Sequence, residues 1–387
     1  MNRFLVSLGI GTVLIVGFFV FKINFPFDKT VTNPPPPPPD SFSESRNQFS
    51  PPPPEKTKTL VTPAVESATP IANATQSCLN TQSQNFDCYE SYYRGLIKNQ
   101  GLKAAFDDLK KRYDTNAYVK SQCHPLTHVI GRAAVEDSYG SVAEAYTNGD
   151  SFCWSGYYHG VLEGIIGKIG RRRLFDEIDT VCADIPGKAK YSFDYYNCVH
   201  GLGHGIMAIT NTELFESLTI CDRLSGVWER SSCWSGVFME NVIVDGKNHF
   251  TKYLKPDNPL YPCDAINGKY RQVCYLMQTS YMLKVTAYDF PKVFGLCRTV
   301  ENEYFDTCFQ SLGRDASGST VSDIERTKAY CLLGQSYREQ SNCVIGAVKD
   351  FVSYHHSDKE ANEFCGALPN DLQAVCRSTA ESYYTVF

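Results

Sequence analysis

VSDIERTKAYCLLGQSYREQSNCVIGAVKDFVSY, Val321 to Tyr354, is the stretch from which the architecture can be read. Apolar residues recur at three and four positions from Val321 to Leu333 and again from Ser336 to Tyr354, with a polar break between, so the spacing predicts two consecutive helices. Cys331 falls near the end of the first and Cys343 in the body of the second. A disulfide between them would staple the two together.

The same pattern recurs on both sides. Cys263, Cys297, Cys331 and Cys365 open successive cysteine pairs 34 residues apart, and Cys221 opens the pair before them. The second members of the pairs, Cys88, Cys153, Cys198, Cys233, Cys274, Cys308, Cys343 and Cys376, keep a spacing near 35, with Cys123 in the same phase 35 residues after Cys88. Pairing of neighbours is expected; it leaves Cys123 and Cys153 as a pair bridging two repeats, although spacing alone does not fix connectivity. A unit of about 35 residues cannot bury its own apolar face, so units must stack. The predicted fold is all-α, a disulfide-stapled αα-repeat solenoid over residues 76–387 with its second helices on the inner side. The alternative is a closed αα toroid, since eight or nine units suffice for closure.

In period, two-helix unit and one bridge per unit, Cys78 to Phe387 resembles the disulfide-bridged Sel1-like and tetratricopeptide-like repeats, notably the cysteine-rich repeat proteins of Helicobacter. The bridges of that family close shorter loops than Cys263 to Cys274 does, and the W-x-x-L-G pattern is absent. The resemblance implies a partner-binding scaffold and carries no catalytic residue with it.

Before the repeats, Leu5 to Phe21 is an uncharged apolar run of 17 residues, enough to span a bilayer. No small-x-small cleavage site follows at Lys22 to Phe25, so the run is expected to be a retained signal anchor, with residues 1–4 as a short cytoplasmic end. Residues 22–75 carry the proline runs Pro34 to Pro39 and Pro51 to Pro54 among small polar residues and are expected to be a disordered, semi-rigid spacer. Sixteen regularly spaced cysteines beyond such a segment indicate an oxidising compartment, periplasmic or at the cell surface. No C-x-x-C occurs, which excludes zinc-finger, thioredoxin and covalent c-haem readings. A formal charge of −5 without clustered Lys and Arg argues against a nucleic-acid partner. The expected partners are the membrane, through the N-terminal helix, and a cell-surface peptide, glycan or protein.

Five of the eight histidines, His124, His128, His159, His200 and His204, fall in one part of this ladder. Three second helices each carry a ligand-type pair at i, i+4: His124 with His128, His159 with Glu163, and His200 with His204, which places each pair on one helix face. His159 and His204 both lie six residues after the second cysteine of their unit, where later repeats have Met239, Ser280, Arg314 and Lys349. These six residues, including Glu163, are the candidate ligands of a divalent transition metal, zinc, iron or copper, in a mononuclear or a two-metal site. The competing reading is a set of inner-face histidines bonded to carbonyls or tyrosines.

Glu163 and Glu240 are the candidate catalytic bases if they are not ligands. Asn241, Arg132, Arg314 and Asp315 are further polar candidates, and Met207 and Met239 keep copper open. Glycines at 156, 160, 164, 201, 203, 205 and 236 cost about 1 kcal/mol each in a helix relative to Ala, which close helix contact or backbone approach to a ligand must offset. The sequence therefore suggests a membrane-anchored repeat protein with a histidine-rich metal site serving a hydrolase or oxidoreductase. Alternatives are a non-catalytic binding scaffold or a non-covalent bis-histidine haem protein.

Overall fold

The computed structural model describes residues 85–137, 141–153, 155–243 and 251–384, which belong to one compact unit, Ser67–Phe387. The expected anchor and spacer, and the partner of Cys88, lie outside the described residues. Among those described, no helix is long and apolar enough to cross a membrane.

All regular structure is helical, and the only β pairing among the described residues is an isolated bridge between Lys255 and Asn258. Among the described residues, nine helices form the frame: α1 (Phe86–Gln100), α2 (Cys123–Asp137), α3 (Gly156–Ile169), α4 (Phe193–Ile209), α5 (Val227–Val242), α6 (Gly268–Val285), α7 (Phe305–Thr320), α8 (Tyr337–His355) and α9 (Asn370–Tyr384), with a further helix of comparable length, Leu102–Thr115, between α1 and α2. Each packs against the next in chain order. Shorter helices, such as Leu214–Cys221, Phe290–Cys297, Ile324–Cys331 and Lys359–Ala367, lie between them.

In the stretch that opened the sequence reading, the first helix is shorter than its periodicity suggests. It runs only over Ile324–Cys331, because Val321 and Ser322 take left-handed turn conformations at the end of α7 and Asp323 then caps, its carboxylate accepting from Arg326 N at 2.8 Å. Ser336 caps α8, accepting from Glu339 N.

Neighbouring cysteines pair as expected. Among the described residues there are seven disulfides, 123–153, 182–198, 221–233, 263–274, 297–308, 331–343 and 365–376, with Cα–Cα separations of 5.3–5.9 Å. Closing loops this short stabilises the fold by about 3 kcal/mol each in the chain-entropy description. Their number points to an oxidising, extracytoplasmic setting.

Three helix pairs come into backbone contact through reciprocal glycines. A Cβ on Gly131 of α2 would collide with the Tyr157 carbonyl of α3, and one on Gly160 of α3 with the His128 carbonyl. Gly203 and Gly236 do the same between α4 and α5, against the carbonyls of Cys233 and His200, and Gly313 and Gly346 between α7 and α8. Gly164, Gly201 and Gly205 meet Val135, Leu162 and Ile166 side chains instead. Helix contact thus accounts for these glycines, and approach to a ligand is not needed to explain them.

Candidate metal centre

The rings of His124 and His128 on α2, His159 on α3 and His200 and His204 on α4 form one cluster. His159 stands at its middle, stacked on His204 with ring centres 4.4 Å apart and 5.1–5.4 Å from the other three. The helix pairs carrying these rings are held close by glycines that rest on the histidines' own carbonyls, Gly160 on His128 and Gly236 on His200. Imidazoles from three consecutive helices converge here, with α2 and α3 in backbone contact at Gly131 and Gly160 and α3 packed against α4.

Four of the five rings have Nδ1 tied to an acceptor. His124 Nδ1 donates to the Cys153 carbonyl at 2.9 Å, a group that can only accept. That carbonyl is aimed inward by the Cys123–Cys153 disulfide and by left-handed conformations at Cys153 and Ser155. His128 Nδ1 faces Glu163 Oε1 at 2.6 Å, and His204 Nδ1 faces Glu240 Oε2 at 2.6 Å. His200 Nδ1 lies 2.7 Å from Ser235 Oγ, which spends its own proton on the Ser232 carbonyl and therefore accepts. Arg132 takes the second oxygen of Glu163.

With Nδ1 so engaged, the Nε2 atoms face one another: His124 to His128 at 3.1 Å and His200 to His204 at 3.2 Å. Two nitrogens sharing a metal at about 2.0–2.1 Å stand about 3.0–3.4 Å apart, depending on the coordination angle. Two groups of three nitrogens, His124, His128, His159 and His159, His200, His204, each lie within 4.8 Å of one another, and Glu163, His204 and Glu240 form a third such group. His159 Nδ1 is buried with no hydrogen-bond partner among the described residues. Met239 Sδ approaches His200 Nε2 at 3.3 Å.

Burial keeps three of these rings, His124, His159 and His200, neutral. Burial, reinforced by the neighbouring His128, lowers the His124 pKa to about 3, and burial followed by the other imidazoles pushes His159 and His200 well below the usual range. Burial would raise Glu163, but His128 and Arg132 outweigh it and hold the carboxyl at about 2, so it remains an ionised acceptor.

All six candidate ligands and Glu240 thus fall in one place, with Arg132 and Met239 beside them. Met207 is buried in the core, Asn241 accepts from Thr251 Oγ1, and Arg314 pairs with Asp315 on α7. Ser235 and the Cys153 carbonyl were missed. Ser235 was accessible from spacing, because it follows His200 by 35 residues, as Glu163 follows His128 by 35 and Glu240 follows His204 by 36. The carbonyl left no sequence signal.

His159, His200 and Met239 also form one side of a cavity of about 530 Å³ whose other walls come from α6, α7, α8 and α9. No family model matches the chain, and no curated protein or solved structure is found similar to it.

Proposed function

We propose that the five histidines bind two transition-metal ions and that the protein is a metal-dependent enzyme of the extracytoplasmic space. The observation that carries this is the facing of Nε2 atoms at 3.1 and 3.2 Å while each partner Nδ1 is committed to an acceptor. Neutral rings in that arrangement set lone pair against lone pair, so a cation belongs between them: a metal, or a proton that makes one ring an imidazolium. Two such pairs and the orphaned His159 between them favour two metals over one.

In this reading His124 and His128 hold one ion, His200 and His204 the other, and His159 completes one of the two sets. Glu163 and Glu240 are positioning residues: as carboxylate partners of ligating imidazoles they fix the tautomer and raise the basicity of Nε2. Both oxygens of Glu163 are occupied, by His128 and Arg132, which argues against its acting as ligand or general base. An all-imidazole set with a thioether nearby suits zinc or copper better than a hard cation. A bound metal would supply an activated water for hydrolysis or a redox couple for oxidation. Haem fits poorly, because the facing nitrogens sit on one helix at i, i+4, with no space for a macrocycle between them.

We further infer that the long helices close into a ring around the cavity rather than forming an open solenoid. Tyr113, ahead of α2, meets the Tyr354 hydroxyl of α8 at 3.3 Å, and Phe193 of α4 packs on His356. The Leu5–Phe21 segment would tether this ring to the membrane, and the proline-rich stretch would space it away.

Elemental analysis of the full chain tests the metal reading. Two equivalents of zinc or copper are expected, falling to about one in a His124→Ala/His128→Ala variant and again in a His200→Ala/His204→Ala variant. Loss of all metal from either would establish a single shared ion. Folded protein that takes up none on addition would leave protonated histidine pairs and a binding scaffold.

A further inference from the structure

The cavity beside the histidines contains a cation that the metal centre does not use. Lys349 of α8 lines it together with Gln310 and Arg314 of α7. Arg314 is neutralised by Asp315 at 2.8 Å and bonded to the Leu276 carbonyl. Lys349 has only a 3.4 Å contact from Nζ to Gln310 Oε1, and among the described residues no carboxylate lies within ion-pair distance of it. Asp350, the next residue of α8, shares the wall. Burial alone lowers the Lys349 pKa, with no neighbouring charge contributing. A desolvated ammonium without a counter-charge is costly, and an arriving anion would offset that cost.

The rest of the wall is mixed: Asn197 and Ser353 add neutral polar groups, the exposed Lys190 adds a second, solvated ammonium, and aromatic and aliphatic side chains supply an apolar surface. Tyr191 and Trp228 stack with ring centres 4.5 Å apart, with Tyr191 exposed and Trp228 half-buried, and Phe193 and Leu276 continue the surface inward. A volume of about 530 Å³ suits a molecule of drug-like size.

We propose that this cavity binds an apolar, ring-bearing molecule with one anionic group, its anion seated on Lys349 and its body against the Tyr191–Trp228 stack. In placing the other end of that molecule at His200 the proposal rests on the metal-centre reading; the anion preference does not.

Calorimetric titration of the full chain with 4-phenylbutyrate and with 4-phenylbutan-1-ol compares one body with and without the charge. The acid is expected to bind at least about tenfold more tightly, a difference of about 1.4 kcal/mol. Lys349→Met should bring the acid down to the affinity of the alcohol, and Lys349→Arg should retain most of the preference. Lys349→Gln serves the same purpose if the Met variant does not fold. The titrations are repeated on His200→Ala/His204→Ala protein with its metal content measured. An unchanged preference there supports Lys349 as the anchor. A preference lost in the histidine variant but kept in Lys349→Met assigns the anion to the metal and overturns the proposal, as does equal or absent binding of the two probes to the native chain. Native protein that holds no metal yet prefers the acid through Lys349 would overturn the metal reading alone.

Discussion

The pairs α4–α5 and α7–α8 share their disulfides and their reciprocal glycines and differ in what stands beside them. Counted from the second cysteine of each unit, His200 corresponds to Gln310, His204 to Arg314, Met239 to Lys349 and Glu240 to Asp350. Both pairs face the same cavity. In one, two imidazoles meet at 3.2 Å under a carboxylate; in the other, an arginine turns aside to its own neighbour Asp315 and leaves a lysine alone. The cysteine and glycine ladder fixes backbone geometry, and the positions two, six and seven residues beyond the cysteine are left free for chemistry. One frame has thereby been given a soft, electron-rich corner and a cationic wall.

The largest expected effect separates the two pairs outright. His200→Ala/His204→Ala should remove about one equivalent of metal, while Gln310→Ala/Arg314→Ala should remove none, as read by elemental analysis of the full chain. Metal loss from the second variant would mean that the cationic wall also supports the centre and would break the comparison.

That division also marks how far the sequence could be read. The period follows from cysteine spacing and the two-helix unit from the recurrence of apolar residues at three and four, while neighbour pairing is the expectation such a ladder favours without fixing it. The i, i+4 histidines follow from helix geometry. The roles of Glu163 and Glu240 did not, because spacing places a carboxylate near an imidazole without saying whether it faces Nδ1 or a metal. Lys349 was visible only as the residue at His204's repeat position, since nothing in a sequence shows that an ammonium lacks a partner. The short first helix before Cys331 was misjudged because Val321 and Ser322 look helical by pattern yet turn at positive φ.

A second test asks whether the shared frame is equally strained in both pairs. Gly236→Ala drives a methyl into the His200 carbonyl and Gly346→Ala one into the Gln310 carbonyl, so each should destabilise by about 2–3 kcal/mol, more than the helix-propensity gain of about 1 kcal/mol returns. Denaturant unfolding measures both. Only Gly236→Ala should also weaken metal binding, because it displaces the helix that carries His200; equal metal retention in both would uncouple the glycines from the site.

Smaller again is the effect of the carboxylates. Glu240→Gln keeps shape and a hydrogen-bonding group but removes the charge on His204, and should lower metal affinity about 10- to 100-fold in competition with a chelator. Asp350→Asn, its counterpart on α8, should leave that affinity unchanged. If Glu240→Gln abolished binding altogether, the glutamate would be a ligand and its 2.6 Å contact with His204 an arrangement of the metal-free state only.

The smallest effect is in acid. His124 titrates near 6.5 when unfolded and at about 3 when folded, so between those values the unfolded chain binds a proton that the native one refuses. Stability therefore rises with pH in this window and is lost as pH falls from about 6.5 towards 3, in the same direction as the loss from Glu163, whose folded value of about 2 lies below its unfolded 4.5. For metal-free protein the His124 contribution should lower the unfolding midpoint by about 2–4 °C between pH 7 and pH 5. His124→Asn should flatten that slope, and Gln310→Ala, in the pair without histidines, should leave it as it is. An unchanged slope in His124→Asn would mean that His124 titrates as a solvent-exposed ring, and the tautomer assigned through the Cys153 carbonyl would fall with it.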